Sequence, residues 1–163
     1  MLENIKTRRS CRNYLDKPVK KEDIEEIVDC GLLAPSGMNT QGIELCVITN
    51  KEILNTLAEL AGRDFFYQAP VLIVAYGEKE NRFTPYDGSC AMTQMYLAAN
   101  ELGLGCCWIN QMKDFVNDPR FDKVMERLGL KDKEIVGSLA LGYKACEPAP
   151  RMMKKICRVH FVE

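Results

Sequence analysis

The stretch from Tyr86 to Leu102 constrains the fold more than any other part of this chain. It is rich in alanine and methionine, and its charged side chains are Asp87 and Glu101 alone. A helix of that length runs about 25 Å. A helix apolar nearly all round is buried on most sides, so other elements have to cover it. Gly103-Leu104-Gly105 closes it, and an apolar strand from Cys106 to Ile109 follows.

The remaining elements read from periodicity and breakers. Lys21 to Leu33 sets Ile24, Ile27, Val28 and Leu32 at helical intervals and stops at Ala34-Pro35-Ser36-Gly37. Lys51 to Ala61 is a second amphipathic helix, ended by Gly62. A short helix over residues 2–9 and another from Pro119 to Leu128 complete the set. Asn13 to Val19 reads as a loop. Strands are expected at Glu44–Thr49, Pro70–Tyr76, Glu134–Tyr143 and Ile156–Val162. The Pro70–Tyr76 run is continuously apolar, as central strands are. Helices and strands mix without regular βαβ alternation, which predicts an α+β fold. No internal repeat or linker divides the 163 residues, so one domain over 1–163 is expected.

Charge excludes some classes of partner. The net charge of −1 provides no global field for nucleic acid or anionic lipid. Met1-Leu2-Glu3-Asn4 opens no apolar leader, and no apolar run reaches the roughly 20 residues of a membrane span. The eight cysteines include no Cys-x-x-Cys pair, which argues against zinc ribbons, iron–sulfur clusters and thioredoxin-like chemistry. Reduced thiols in a cytoplasmic setting are the expectation, with no metal.

Against that neutral background stands Arg8-Arg9-Ser10-Cys11-Arg12. Guanidinium forks match phosphate oxygens bidentately, and a serine hydroxyl adds a donor. The box reads either as an anion cradle or as a basic helix end set against its own carbonyls. Ala34-Pro35-Ser36-Gly37-Met38-Asn39-Thr40-Gln41 follows a helix and carries polar side chains and a flexible glycine. It reads either as a ligand loop for a planar heterocycle and its polyol, or as a helix stop with a turn.

Two more segments lie downstream: Asp87-Gly88-Ser89-Cys90-Ala91 through Gly103-Leu104-Gly105 to Trp108-Ile109, and Leu139-Ala140-Leu141-Gly142-Tyr143 with Pro148 and Arg151 beyond. Taken in order, the four segments resemble the FMN-dependent nitroreductase family. They span nearly the whole chain. The resemblance implies a central mixed or antiparallel sheet flanked by helices, in an intertwined homodimer with FMN at the subunit interface. It implies that NAD(P)H reduces the flavin and that an electron-poor acceptor, such as a nitroaromatic or quinone, reoxidises it. The chemistry then belongs to FMN N5, with no catalytic side chain.

Residue by residue, the resemblance assigns the Arg8, Arg9 and Ser10 part of the box to the phosphate and ribityl chain. Arg12 falls near flavin N1 and O2. Pro35, Ser36, Asn39 and Gln41 fall in the loop that reaches the partner's flavin. Asn110 and Gln111 face N5 and O4, and Arg151 is a C-terminal phosphate ligand. Three departures bear on acceptor choice: Gly42 where relatives have proline, Asn110-Gln111-Met112 where a Gly-Gly-Phe-like turn is common, and Lys144 after Gly-Tyr. The short chain also implies a reduced roof over the substrate. A flavin sensor or carrier without robust turnover is the alternative those departures suggest.

Other residues read as structural. His160 is the one histidine, which disfavours Ser-His and Cys-His hydrolases. Cys106 and Cys107 are strand neighbours that point to opposite faces, so packing explains them better than redox pairing. Met92, Met95 and Trp108 read as core. Phe65, Phe66 and Tyr67 line a site or simply pack. Gly103-Leu104-Gly105 lacks a full dinucleotide fingerprint.

Overall fold

In the computed structural model, the structure describes residues 1–152 and 159–162. The centre is a four-stranded sheet of β1 (Glu44–Ile48), β2 (Val71–Gly77), β3 (Gly105–Ile109) and β4 (Glu134–Gly142), in the order β1-β2-β4-β3. All neighbours are antiparallel. Around it lie α1 (Leu2–Thr7), α2 (Lys21–Leu32), α3 (Lys51–Leu60), α4 (Thr84–Glu101), α5 (Met112–Phe115) and α6 (Asp122–Leu128). The fold is α+β, as expected.

Strand alternation divides the core in two. Ile48, Leu72, Ala140 and Cys107 stand opposite one another across all four strands and point to one face. There they pack with Leu54 and Leu57 of α3, Phe115 of α5, Phe121, and Val124 and Met125 of α6. Phe115 and Phe121 stack with centroids 4.0 Å apart. Each neighbouring residue along the strands points the other way. Ile73, Leu139 and Cys106 meet Ile27 of α2 and Met92, Met95 and Ala99 of α4. Cys106 and Cys107 thus belong to different layers, so each packs as a small hydrophobe.

Local chemistry sets the element ends. Asn50 accepts a bond from the Ile53 amide at 3.1 Å and caps α3. Gly129 ends α6 in the left-handed conformation, φ 70°, where a Cβ would be strained. Gly88 lets α4 lie close on the sheet: a Cβ there would sit 2.5 Å from Val136 Cγ2.

The departures from expectation have physical reasons. α4 begins at Thr84, two residues before the expected start, because Pro85 is tolerated in a first turn. Its buried residues, Thr84, Asp87, Gly88, Ala91, Met92, Met95, Tyr96 and Ala99, mark one face at helical spacing. Burial on most sides is therefore not reached within this chain. The expected Pro119–Leu128 helix divides into a 3-10 turn, Pro119–Phe121, and α6. Asp118 accepts from the Arg120 amide and caps the turn. The terminal strand expected over Ile156–Val162 falls partly outside the described residues, and Val159 to Val162 are exposed and not in a strand.

Candidate functional site: the basic box, its tyrosine and the end of β3

The basic box follows α1, where Arg8 turns extended (φ −52°, ψ 129°) and ends the helix. The chain then runs beside β3. The Cys11 amide donates to the Cys106 carbonyl at 2.9 Å, and Ser10 bridges Cys106 in parallel sense. α1 is held by Asn4, which donates to the Leu97 carbonyl and accepts from Asn100. The box is thereby pinned between α4 and the edge of the sheet.

Tyr96 of α4 organises it. Its hydroxyl donates to Ser10 Oγ at 2.7 Å, and the Arg8 guanidinium carbon lies 4.3 Å from its ring centroid. Arg12 faces Tyr67 at 5.8 Å. Among the described residues, Arg8, Arg9 and Arg12 form no ion pair with a carboxylate. Arg9 Nε is buried with no hydrogen-bond partner. A buried, unpaired guanidinium donor is costly to leave unmet, and a phosphate oxygen has the acceptor chemistry to meet it. The donor set fits an anion such as a phosphate monoester. The helix-end alternative explains it less well, because α1 is short and the guanidiniums turn to Tyr96 and Tyr67.

Burial governs the thiols and phenol at this site. It pushes the Cys106 thiol well up, and it pushes up Cys11 and Cys107, the last partly offset by the Arg12 charge. Burial also pushes Tyr96 up to about 12, with the Ser10 bond acting the other way. All four groups are neutral at pH 7, so the thiols are poor nucleophiles. Each raised value favours the neutral form in the folded state. Its stabilising effect is complete below the ordinary value, 9.0 for a thiol and 10.0 for a phenol, and is lost as pH rises through the raised value. The melting temperature is therefore expected to hold from neutral pH to about 9 and to fall steadily toward about 11. Thermal melts across that range check it, and a temperature flat to the alkaline limit would contradict it.

Beyond β3 lie Asn110 and Gln111. Trp108 Nε1 donates to Asn110 Oδ1 at 2.8 Å, and Arg63 Nη2 donates to Gln111 Oε1 at 2.7 Å. Gln111 is five residues beyond Cys106, which Ser10 bridges, so a chain span of at most roughly 17 Å joins this end to the basic box. Arg12 pairs with Tyr67, and Arg63, four residues before Tyr67, pairs with Gln111.

The Pro35–Gln41 loop is elsewhere. Met38, Asn39 and Gln41 have φ of 55°, 56° and 50°, a left-handed conformation that side chains rarely adopt, with right-handed Thr40 between them. Two bonds hold it: Gly37 N donates to Asp87 Oδ1 at 2.8 Å, and Gln41 N donates to Ser36 Oγ at 3.0 Å. Asp87 is 5% exposed, and its second oxygen has no partner. It lines a 240 Å³ cleft with Pro35, Ser36 and Gln41. Asp87 and Tyr96 lie nine positions apart on α4, about 13 Å along its axis. The Pro35–Gln41 loop thus meets α4 about 13 Å along its axis from the tyrosine that orients the basic box. Arg151 is exposed and makes no hydrogen bond within the described residues. Tyr96 and Arg63 join the candidate site without having been singled out in the sequence, whereas Asp87 opens the third of the four segments and Tyr67 stands beside Arg12.

Comparison with known proteins settles the family. The model of the Nitroreductase family matches residues 5–63 and 55–143. The chain belongs to the nitroreductase family. A crystal structure of a nitroreductase with bound FMN from Bacteroides fragilis aligns with a TM-score of 0.92 and 30% identity, over 99% of this chain and 98% of that one. An FMN-dependent nitroreductase from Clostridium difficile is 32% identical with a TM-score of 0.84, over 99% and 98%. A Methanothermobacter thermautotrophicus protein, provisionally called NADH dehydrogenase/NAD(P)H nitroreductase, is 31% identical over 98% of this chain and 85% of its own length. Among the described residues of this nitroreductase, no helix is long and apolar enough to cross a membrane, and no group of three or more His, Cys, Asp or Glu side chains could hold a metal.

Proposed function

We propose that this nitroreductase is an FMN-dependent oxidoreductase that takes reducing equivalents from NAD(P)H and passes them to an electron-poor acceptor such as a nitroaromatic or quinone. The observation that carries the reading is the buried, unpartnered Arg9 Nε inside a box of three arginines free of carboxylate partners. The FMN named for the B. fragilis and C. difficile proteins supports the identity of the anion, and the name of the archaeal relative supports the reductant.

When bound, FMN supplies the electron transfer at its N5. The chain binds, orients and tunes. Arg8 and Arg9 take the phosphate dianion through charge-assisted bonds. Ser10, oriented by Tyr96, hydrogen-bonds the ribityl–phosphate end. Arg12 would serve the N1 and O2 side of the flavin, where its positive charge would favour the reduced, anionic form. Asn110 and Gln111 present backbone groups to N5 and O4. Pro35, Ser36, Asn39 and Gln41 serve the flavin of the second subunit, and Arg151 adds a cation at the phosphate. One FMN-binding domain covers residues 1–163.

Protein incubated with FMN and freed of excess is expected to keep flavin absorbance and to oxidise NAD(P)H in the presence of menadione. Absence of retained flavin would refute the reading. Retained flavin without turnover on any acceptor would favour a sensor or carrier.

A further inference from the structure

We propose that Arg63 selects electron acceptors that carry a negative charge, and that this enzyme prefers anionic nitroaromatics and quinones over their neutral counterparts. The inference rests on the flavin reading above and names the substrate class of that same site. Arg63 follows Gly62, whose left-handed turn (φ 66°) ends the α3 segment and leaves the next side chain exposed. Its guanidinium is fixed by a neutral amide, Gln111 Oε1, at 2.7 Å. Among the described residues it forms no ion pair. Nearby Asp64 turns its Oδ1 to the Phe66 amide instead.

Guanidinium has five N–H donors, and the Gln111 bond uses one. The remaining fork is held in place, charged and open to solvent. That is the arrangement that binds a carboxylate or sulfonate bidentately. Charge matching assigns Arg63 to the acceptor and not to the cofactor. FMN has one phosphate, and in the reading above Arg8 and Arg9 meet it, with Ser10 bridging Cys106 five residues before Gln111. Arg12 lies in the same box, where its charge acts on Cys107. Arg63 is a cation without a carboxylate partner among the described residues, bonded to the residue assigned to N5 and O4. An acceptor stacked there would set its anionic substituent against it. Gln111 then holds the guanidinium beside the acceptor's path.

The test uses the FMN-loaded protein and two acceptors of matching shape, 4-nitrobenzenesulfonate and neutral 4-nitrobenzenesulfonamide. The readout is the ratio of their kcat/KM values in wild type, Arg63→Gln and Arg63→Lys. The ratio should fall about tenfold in Arg63→Gln, through KM for the sulfonate, and return most of the way in Arg63→Lys. Raised salt should shrink the wild-type ratio and leave the Arg63→Gln ratio little changed. An unchanged ratio in a variant that still holds FMN overturns the inference alone. Equal losses for both acceptors also overturn it, since they would place Arg63 on the flavin. Wild-type protein that retains no FMN overturns the functional reading as well, and its absorbance reports that separately.

Discussion

Replacing Arg8 with alanine is expected to weaken FMN binding by about 1.5–3 kcal/mol while barely changing riboflavin binding. The two ligands differ by the phosphate, so their difference isolates the contact. The size follows from what is removed. A guanidinium–phosphate bond is charge-assisted and is made where Arg9 Nε is already buried, so solvent screens it less than a surface pair. Arg8 is pre-positioned by the Tyr96 ring at 4.3 Å. Arg8→Lys keeps the charge and loses the fork, so its loss should be intermediate. Losing the stack on Tyr96 costs the apo fold about 0.5–1 kcal/mol, too little to unfold the protein and feign a binding defect. Titration of flavin fluorescence with each ligand measures both affinities. Equal losses for FMN and riboflavin would remove Arg8 from the phosphate.

How far the sequence foretold this site depends on the range of the interactions. The element types follow from local pattern, and α2, α3 and β2 sit within a residue or two of their predicted ends. The strand order β1-β2-β4-β3 does not, because each partnership joins segments far apart in the chain, and periodicity carries no pairing information. α5 was invisible for a different reason: a single turn with Met112 and Phe115 inward is too short to show a period. The arginines and serine of the box were legible as a cluster of like charge. Tyr96, the residue that orients them, looked like one more apolar position in a buried helix. Arg63 lies 48 positions from Gln111, and a lone arginine after a helix-stopping glycine has no spacing to betray it. The left-handed conformation at Met38, Asn39 and Gln41 was hidden as well. Asparagine tolerates that conformation, but methionine gives no hint of it.

Assembly is the second large expected effect. The chain is expected to be a homodimer that FMN binding stabilises, by about 2.7 kcal/mol when free FMN stands at a hundred times its dissociation constant. Five features of the single chain point to a partner. Asp87 anchors the Pro35–Gln41 loop some 13 Å along α4 from Tyr96, set apart from its own box and placed to suit the box of a second copy. The sequence of α4 is apolar nearly all round, yet one chain covers one face. Tyr86, Cys90 and Thr93 stay exposed along the other side. Leu33 and Met38, on and beside the loop, are 80% and 82% exposed. The sheet has an open edge at β1, whereas the outer edge of β3 is met by Ser10. Met152, Phe161 and Val162 are 90%, 81% and 87% exposed, with no hydrophobic cover among the described residues. A terminal segment laid along the β1 edge of a second copy would satisfy both, by the same backbone pairing that joins strands. If each flavin site draws on both chains, linkage requires the ligand to pull the equilibrium toward the dimer. Light scattering across a dilution series should then show the apo protein dissociating at a higher concentration than the FMN-loaded protein. Asn39→Ala should weaken FMN binding, and removal of residues 151–163 should dissociate the dimer. An FMN-loaded protein that is monomeric at micromolar concentration would return Pro35, Ser36, Asn39 and Gln41 to the role of a simple helix stop.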